Sequence, residues 1–149
     1  MNFTETDEHI SFVEFYRLCG LEVSDNPKSQ DGAFFTIYKT DGNGIIAAAT
    51  LSFRGNAYIL DYIAVREDFR GKGIGEKALS IILKKAKYVG ANSLFITAKN
   101  IRFFEKMGFV EGNPKGIDLN LDCKDCPQYL TKCFPKTMKY CLQNFEGEL

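Results

Sequence analysis

The stretch from Tyr58 to Val89 constrains the fold of this chain more than any other. Its first part, Tyr58–Val65 (YILDYIAV), is an apolar run typical of a buried strand, and its last part, Glu76–Val89, is typical of an amphipathic helix. Between them lies a basic, glycine-rich turn, Arg70–Gly75 (RGKGIG). Glycines let the backbone approach a ligand closely, and the first N–H groups of a helix have no partner inside it. The pattern therefore predicts a phosphate site, which the helix dipole and two flanking cations would favour.

Two common phosphate-binding motifs do not fit this turn. The G-x-x-x-x-G-K-[ST] motif is absent because Glu76 follows the last glycine. The same glutamate stands where the dinucleotide fingerprint G-x-G-x-x-G needs its third glycine. A tight strand-to-helix turn with solvated basic residues is the alternative interpretation.

The turn resembles the pyrophosphate loop of the GNAT superfamily, the acyl-CoA-dependent N-acyltransferases, whose pattern is [RQ]-x-x-G-x-[GA]. Arg70, Gly73 and Gly75 match its fixed positions. A second block, Phe103–Phe109 (FFEKMGF), is similar to the family's F-Y-E-K-x-G-F and follows at a suitable distance. Two blocks in the right order are more specific than either alone. The resemblance is clear from about Gly44 to Val110 and weaker outside these residues.

The order of predicted elements indicates an α/β fold with a mixed sheet. Antiparallel strands come first, then a strand–loop–helix–strand unit, which should form a right-handed parallel crossover. The resemblance implies the same fold: a mainly antiparallel sheet with helices on both faces and a central pair of parallel strands that splay apart to admit the donor's pantetheine arm. The predicted helices are 6–19, 76–89 and 100–107, and the predicted strands are 33–39, 45–53, 58–65, 93–98, 109–111 and 135–142, with 117–121 continuing or pairing with the strand at 109–111.

Length and composition predict a single cytoplasmic domain spanning residues 1–149. The chain has 45% hydrophobic residues and 13 Phe, enough for a sizeable core. Lys plus Arg and Asp plus Glu each number 19, which argues against a general nucleic-acid binder. No apolar run reaches the roughly 18 residues that a membrane span needs. The N-terminus is polar and acidic, and five cysteines without a secretion signal favour reduced thiols in the cytoplasm.

The resemblance implies that acetyl-CoA is the cosubstrate and that a primary amine attacks it directly in a ternary complex. The N–H of Val65 is then the candidate for polarising the thioester carbonyl, and Asp61, four residues earlier, is the candidate general base. The alternative is that Asp61 faces solvent or pairs with a basic neighbour. The resemblance places the donor's pyrophosphate at Arg70, Gly71, Lys72, Gly73, Ile74 and Gly75, its pantetheine at Ile63, Ala64 and Val65, and its arm near Asn100.

One position departs from the family pattern. Relatives use the tyrosine of F-Y-E-K-x-G-F to protonate or hydrogen-bond the leaving thiolate, but here that position is Phe104, which has no proton to give. Tyr62 and Tyr140 are candidate substitutes. An alternative function is therefore a non-catalytic acyl-CoA-binding sensor on the same fold.

Cysteines near the C-terminus suggest a metal site. Cys123, Cys126 and Cys133 form C-x2-C-x6-C, a spacing that can direct thiolates at a tetrahedral zinc ion. Reduced structural cysteines or a redox-sensitive pair are the alternatives. The resemblance makes 122–134 an insertion before the last strand, near the acceptor entrance. A small zinc-binding interaction module is thus a third candidate function, and pairing of exposed edge strands would give a homodimer.

Overall fold

One mixed sheet, flanked by helices, carries the described part of the chain. The computed structural model describes residues 3–7, 10–21, 35–54, 57–112 and 136–145. Within them the strand order is β1-β2-β3-β4-β5-β7-β6. The strands are β1 Thr4–Thr6, β2 Phe35–Asp41, β3 Gly44–Arg54, β4 Ala57–Val65, β5 Ser93–Ala98, β6 Val110–Glu111 and β7 Lys136–Cys141. The helices are α1 Ile10–Leu18, α2 Ile74–Tyr88 and α3 Ile101–Lys106, with 3-10 turns at Glu67–Phe69 and Leu142–Asn144.

The β2–β3 hairpin turns where the sequence predicts it, at Asp41 to Gly44. Asp41 pairs with Gly44, and the Asn43 N–H donates to Asp41 Oδ1 at 2.8 Å. Gly44 has a φ of +123°, which other residues rarely adopt. The hairpin brings the end of β2 beside the residues that follow β4.

Helix α2 forms the crossover between the parallel strands β4 and β5. Its apolar residues recur at a spacing of three to four, so one stripe faces the sheet. Gly90, with a φ of +92°, ends the helix, and the Ala91 N–H donates to the Ala86 carbonyl at 3.0 Å. The buried residues of α2 are Ile74, Ala78, Leu79, Ile82, Leu83 and Ala86.

Two apolar cores lie on opposite faces of the sheet. The larger packs α2 and α3 against residues such as Leu51, Leu60 and Leu94. The smaller packs α1 against residues such as Ala48 and Tyr62. Each fully buried leucine contributes about 2 kcal/mol of stability. The expected mixed sheet with helices on both faces is thereby confirmed.

The prediction is wrong at the N-terminus. Thr4–Thr6 is an edge strand that pairs with β2, and the helix expected from Thr6 begins at Ile10. Threonines are β-branched and favour a strand once an edge is available to pair with. The possible strand at 117–121 and the insertion at 122–134 lie outside the described residues.

None of the described helices is long and apolar enough to cross a membrane.

Candidate active site

The sheet opens between its two central parallel strands. Strands β4 and β5 are in register at only two positions, Tyr58 with Leu94 and Ile59 with Phe95. Beyond them, the part of β4 from Leu60 to Val65 pairs with β3 alone. The gap lies at the carboxyl ends of the parallel strands, where ligands bind in open α/β sheets. This is the splay that the resemblance implies.

A β-bulge places Asp61 beside this gap. Thr50 pairs with Tyr62 and Leu51 with Leu60, so Asp61 is an extra residue inserted between two registered pairs of β3 and β4. Asp61 is half-buried, and Ser52 Oγ donates to its Oδ2 at 2.5 Å. The bulge therefore projects a carboxylate from the strand that borders the opening.

The backbone of β4 presents alternate residues to the gap. The Arg66 N–H donates to the Ile46 carbonyl of β3 at 2.7 Å. Because backbone groups alternate in direction along a strand, those of Ile63 and Val65 point away from β3 and towards the opening. The same alternation turns the backbone groups of Ala64 towards β3. Of the three residues expected at the pantetheine, Ile63 thus offers its N–H and C=O groups to the gap, and Val65 offers its N–H, since the Val65 carbonyl accepts from Arg70 and Cys19.

The turn after β4 exposes backbone amides. Gly71 and Gly73 both have a φ of +79°, and a Cβ at either position would meet nothing within 4 Å. The first hydrogen bond of α2 runs from the Lys77 N–H to the Gly73 carbonyl at 3.1 Å. Within the described ranges, the N–H groups of residues 71–76 donate to no other backbone group. The start of α2 is therefore an open cradle of amides suited to an anion.

Gly75 closes the inner side of the cradle. A Cβ there would lie 3.6 Å from Val65 Cγ2 and 3.7 Å from Phe103 Cζ, which is ordinary contact. The position has room for the single methyl group of alanine, in agreement with the [GA] of the family pattern.

Arg70 and Lys72 lie at the edge of the glycine-rich turn. Arg70 is exposed, and its Nε donates to the Val65 carbonyl at 2.9 Å. Lys72 Nζ lies 5.1 Å from the centre of the Phe69 ring. The acidic residue at the start of the helix, Glu76, is paired with Lys106 Nζ at 3.1 Å. Positive charge therefore dominates beside the exposed amides.

Arg66 anchors the loop, a role that sequence analysis did not identify. It contacts Asp41 at 2.9 Å and Asp68 at 2.7 Å, and its guanidinium lies 5.0 Å from the Phe69 ring centre. This arginine holds the pKa of both carboxyl groups below the usual range. It thereby ties the 3-10 turn to the tip of the β2–β3 hairpin.

Helix α1 packs on the face of the sheet opposite to α2. Tyr16 is fully buried and its hydroxyl lies 2.7 Å from Thr50 Oγ1, which lies 2.7 Å from Thr36 Oγ1. Burial raises the pKa of Tyr16 far above its usual value, so the phenol stays protonated. Cys19 Sγ donates to the Val65 carbonyl at 3.9 Å, and burial raises the pKa of this thiol.

An open groove of about 610 Å³ runs between the end of α1, the β2–β3 hairpin and the turn after β4. Its walls combine apolar side chains with charges of both signs, and it borders the Arg70 end of the loop. The lining residues are Glu14, Phe15, Leu18, Cys19, Gly20, Asn43, Ile45, Arg66, Glu67 and Arg70.

Asn100 caps the helix that follows β5. Its Oδ1 accepts from the Phe103 N–H at 3.3 Å, at the start of α3. The residue is exposed and lies two residues beyond the end of β5, the strand that borders the gap. Its predicted contact with the donor's arm stays a prediction.

Phe104 belongs to the core. It is 4% exposed and packs edge-on against Phe103 at 5.0 Å and Phe109 at 5.4 Å. Of the candidate substitutes, Tyr62 packs on Tyr16 at 5.0 Å on the α1 face, and Tyr140 packs on Phe109 at 5.4 Å on the opposite face. Their role as substitutes for the hydroxyl missing at position 104 stays a prediction.

The predicted zinc ligands, Cys123, Cys126 and Cys133, lie outside the described residues. Cys19 and Cys141 are free thiols. In the described part of the chain, no three His, Cys, Asp or Glu residues come together as a metal site would require.

Comparisons with known proteins agree with this geometry. A curated relative, the uncharacterized N-acetyltransferase CT2212 of Chlorobaculum tepidum, is 35% identical over 72 residues, which cover 44% of this chain and 44% of the relative. The chain thus spans less than half the length of that relative.

Solved structures share the fold across most of the chain. The ribosomal-protein-S18-alanine N-acetyltransferase of Escherichia coli is 18% identical, with a TM-score of 0.67 over 99% of this chain and 97% of its own. A GNAT family acetyltransferase from Elizabethkingia anophelis with acetyl-CoA bound is 17% identical, with a TM-score of 0.61 over 94% of this chain and 98% of its own.

A family model described as Acetyltransferase (GNAT) family matches residues 2–109, which include β4, the glycine-rich turn, α2 and α3. The resemblance drawn from the two sequence blocks is confirmed, and the chain belongs to the GNAT acetyltransferase family.

Proposed function

We propose that this protein transfers an acetyl group from acetyl-CoA to a primary amine within a ternary complex. The observation that supports this most directly is the open cradle of amides at residues 71–76, which lies at the end of β4 beside the gap in the sheet. A long thioester carrier with a diphosphate fits both features at once.

The donor's pyrophosphate would accept hydrogen bonds from the amides of the cradle. Each hydrogen bond to a charged group contributes about 1.5–3 kcal/mol, so two of them account for at least about 100-fold in affinity. Arg70 and Lys72 at the rim would add an attraction that weakens as salt is raised. The pantetheine arm would extend along β4, where Ile63 and Val65 offer backbone groups, and would pass Asn100 at the end of β5.

The acetyl carbonyl would then lie near the Val65 N–H, which would stabilise the oxyanion. The amine nitrogen attacks the thioester carbon, a C–N bond forms, and the C–S bond breaks as the coenzyme A thiolate leaves. Asp61 would take the proton that the amine loses, directly or through one water. The groove beside α1 would be the approach for the acceptor.

Because Phe104 has no proton to donate, the thiolate leaves without being protonated from that position. A thiol of pKa about 8.5 is a good leaving group, and water can protonate it after it departs. The same residue supports the second candidate, a sensor that binds acyl-CoA without turnover. The third candidate, a zinc module, rests on cysteines outside the described residues.

Two measurements test the proposal in sequence. Calorimetry with acetyl-CoA should show binding, and failure to bind would overturn the whole reading of the loop. A thiol-detecting assay with a panel of small amines, amino acids, peptides with free N-termini and aminoglycosides should then show release of coenzyme A. Binding without release for any amine would favour the sensor. Zinc analysis of protein purified without chelators tests the third candidate.

A further inference from the structure

We infer that Ser52 is a positioning residue that holds the carboxylate of Asp61 for proton transfer. The inference rests on the proposed function, because it gives Asp61 the role of general base. It is carried by three observations: the hydrogen bond between the two side chains, the burial of Ser52, and the bulge at Asp61.

Ser52 is 0% exposed, and within the described residues its hydroxyl donates to Asp61 Oδ2. Leaving a buried hydroxyl without a hydrogen-bond partner is unfavourable, so this bond holds both groups in place. The neighbouring hydroxyl on the same face, Thr50, is instead engaged with Tyr16 and Thr36. Ser52 therefore bonds to the Asp61 carboxylate, whereas the hydroxyls of Tyr16, Thr50 and Thr36 bond to one another beneath α1.

The bulge sets where the carboxylate leaves the strand. Asp61 is the extra residue of β4, inserted between the registered pairs Thr50–Tyr62 and Leu51–Leu60, and such a bulge re-aims a side chain. The Ser52 bond holds Oδ2 and so helps to orient the carboxylate. A small misplacement of a catalytic group can lower the rate strongly, because proton transfer depends on distance and angle.

A hydroxyl is also the suitable chemical partner for a base. It donates to the carboxylate before proton transfer, and it can either donate to or accept from the carboxylic acid afterwards. An ammonium or guanidinium partner could only donate, and it would hold the carboxylate in its charged form. Ser52 can therefore remain bonded in both protonation states.

The test compares kcat and the KM for acetyl-CoA in Ser52→Ala, Ser52→Thr, Asp61→Asn and the Ser52→Ala/Asp61→Asn double variant. Ser52→Ala should lower kcat about 10-fold, a part of the 10²–10⁴-fold that a general base supplies. The KM for acetyl-CoA should stay within about twofold, and Ser52→Thr, which keeps the hydroxyl, should recover most of the rate. The double variant should be no slower than Asp61→Asn, because the two residues act as a unit.

Thr36→Val provides the matched control. It removes a fully buried hydroxyl from the same polar region with little change in volume, and Thr36 bonds to Thr50 rather than to Asp61. Its kcat should stay within about twofold of the wild type. Circular dichroism of every variant checks that the fold is kept.

Four outcomes would overturn the inference. Ser52→Ala could match the wild type in kcat, or its loss could add in full to that of Asp61→Asn. Alternatively, Asp61→Asn could be fully active, which removes the base and leaves acetyl transfer standing. If the wild type binds acetyl-CoA yet acetylates no amine, the proposed function itself fails, and the role of Ser52 fails with it.

Discussion

Replacing Gly73 with aspartate should abolish acetyl-CoA binding and leave the protein folded. Gly73 precedes the first turn of α2 with a φ of +79°, and a Cβ there meets nothing within 4 Å. The cost to folding is therefore the strain of the left-handed conformation alone, about 1–2 kcal/mol and smaller for aspartate than for most residues. In a chain of this size, we expect the melting temperature to fall by about 2–8 °C.

The loss of binding should be far larger than the loss of stability. A carboxylate at the N-cap accepts hydrogen bonds from the second and third amides of the helix, which here belong to Gly75 and Glu76. These are amides that the pyrophosphate would use. Losing two hydrogen bonds to a charged ligand costs about 3–6 kcal/mol, or at least about 100-fold in Kd, before repulsion between the two anions is added.

Gly90→Asp is the matched control, measured by the same calorimetry and thermal melting. Gly90 lies just beyond the other end of α2 with a φ of +92°, and a Cβ there also meets nothing within 4 Å. The variant carries the same charge and similar strain, and the helix dipole adds about 0.3–1 kcal/mol of cost at this end. It should lose stability and keep its affinity for acetyl-CoA. Equal affinity in Gly73→Asp and wild type, or equal losses in both variants, would refute the assignment of the cradle.

Three further predictions follow from particular side chains. Arg66 lowers the pKa of Asp41 and Asp68, so these carboxylates stabilise the fold above the ordinary carboxyl pKa of about 3.9, and this stabilisation is lost as the pH falls through their lower pKa in the folded state. In urea denaturation from pH 7 to 2, Arg66→Met should therefore make the free energy of unfolding depend less on pH in the acidic range. Burial raises the pKa of Cys19 and the thiol contacts the Val65 carbonyl, so iodoacetamide should modify it more slowly than a free thiol at pH 8, and more slowly still with acetyl-CoA present, as measured by peptide mass spectrometry. Phe104→Leu should lower the free energy of unfolding by about 1 kcal/mol in chemical denaturation and leave kcat within about twofold, since position 104 supplies packing and no proton; a much larger fall in kcat would place Phe104 in the reaction.

The central elements could be predicted because their signals are local. The hairpin at 41–44 has turn residues at the required positions, and the helix after the glycine turn has a continuous apolar stripe. The strand Ser93–Ala98 was predicted with the bounds that the structure has. The edge strand Thr4–Thr6 could not be predicted, because it is three residues long, largely exposed, and held by pairing with distant residues of β2.

The site was predictable in its backbone and less so in its side chains. Glycine spacing in a known motif located the amide cradle, since that geometry depends on φ angles at Gly71 and Gly73. The bulge at Asp61 could not be predicted. A strand that is apolar throughout has no alternation of polar and apolar residues, so a register shift of one residue leaves no trace in its sequence. The hydrogen bond from Ser52 to Asp61 joins residues 9 positions apart and the ion pair of Arg66 with Asp41 joins residues 25 positions apart, so sequence patterns could not reveal them.

The position of β7 determines when this sheet can be finished during synthesis. It lies between β5 and β6, and β6 pairs with β7 alone among the described strands. On its other side, β5 shares only two registered positions with β4. Until Lys136–Cys141 is available, β5 is therefore paired with β4 at two positions, and β6 lacks the strand that it pairs with among the described residues. A ribosome-stalled or truncated chain ending before residue 136 should bind hydrophobic dyes and be cut readily by proteases within residues 93–112.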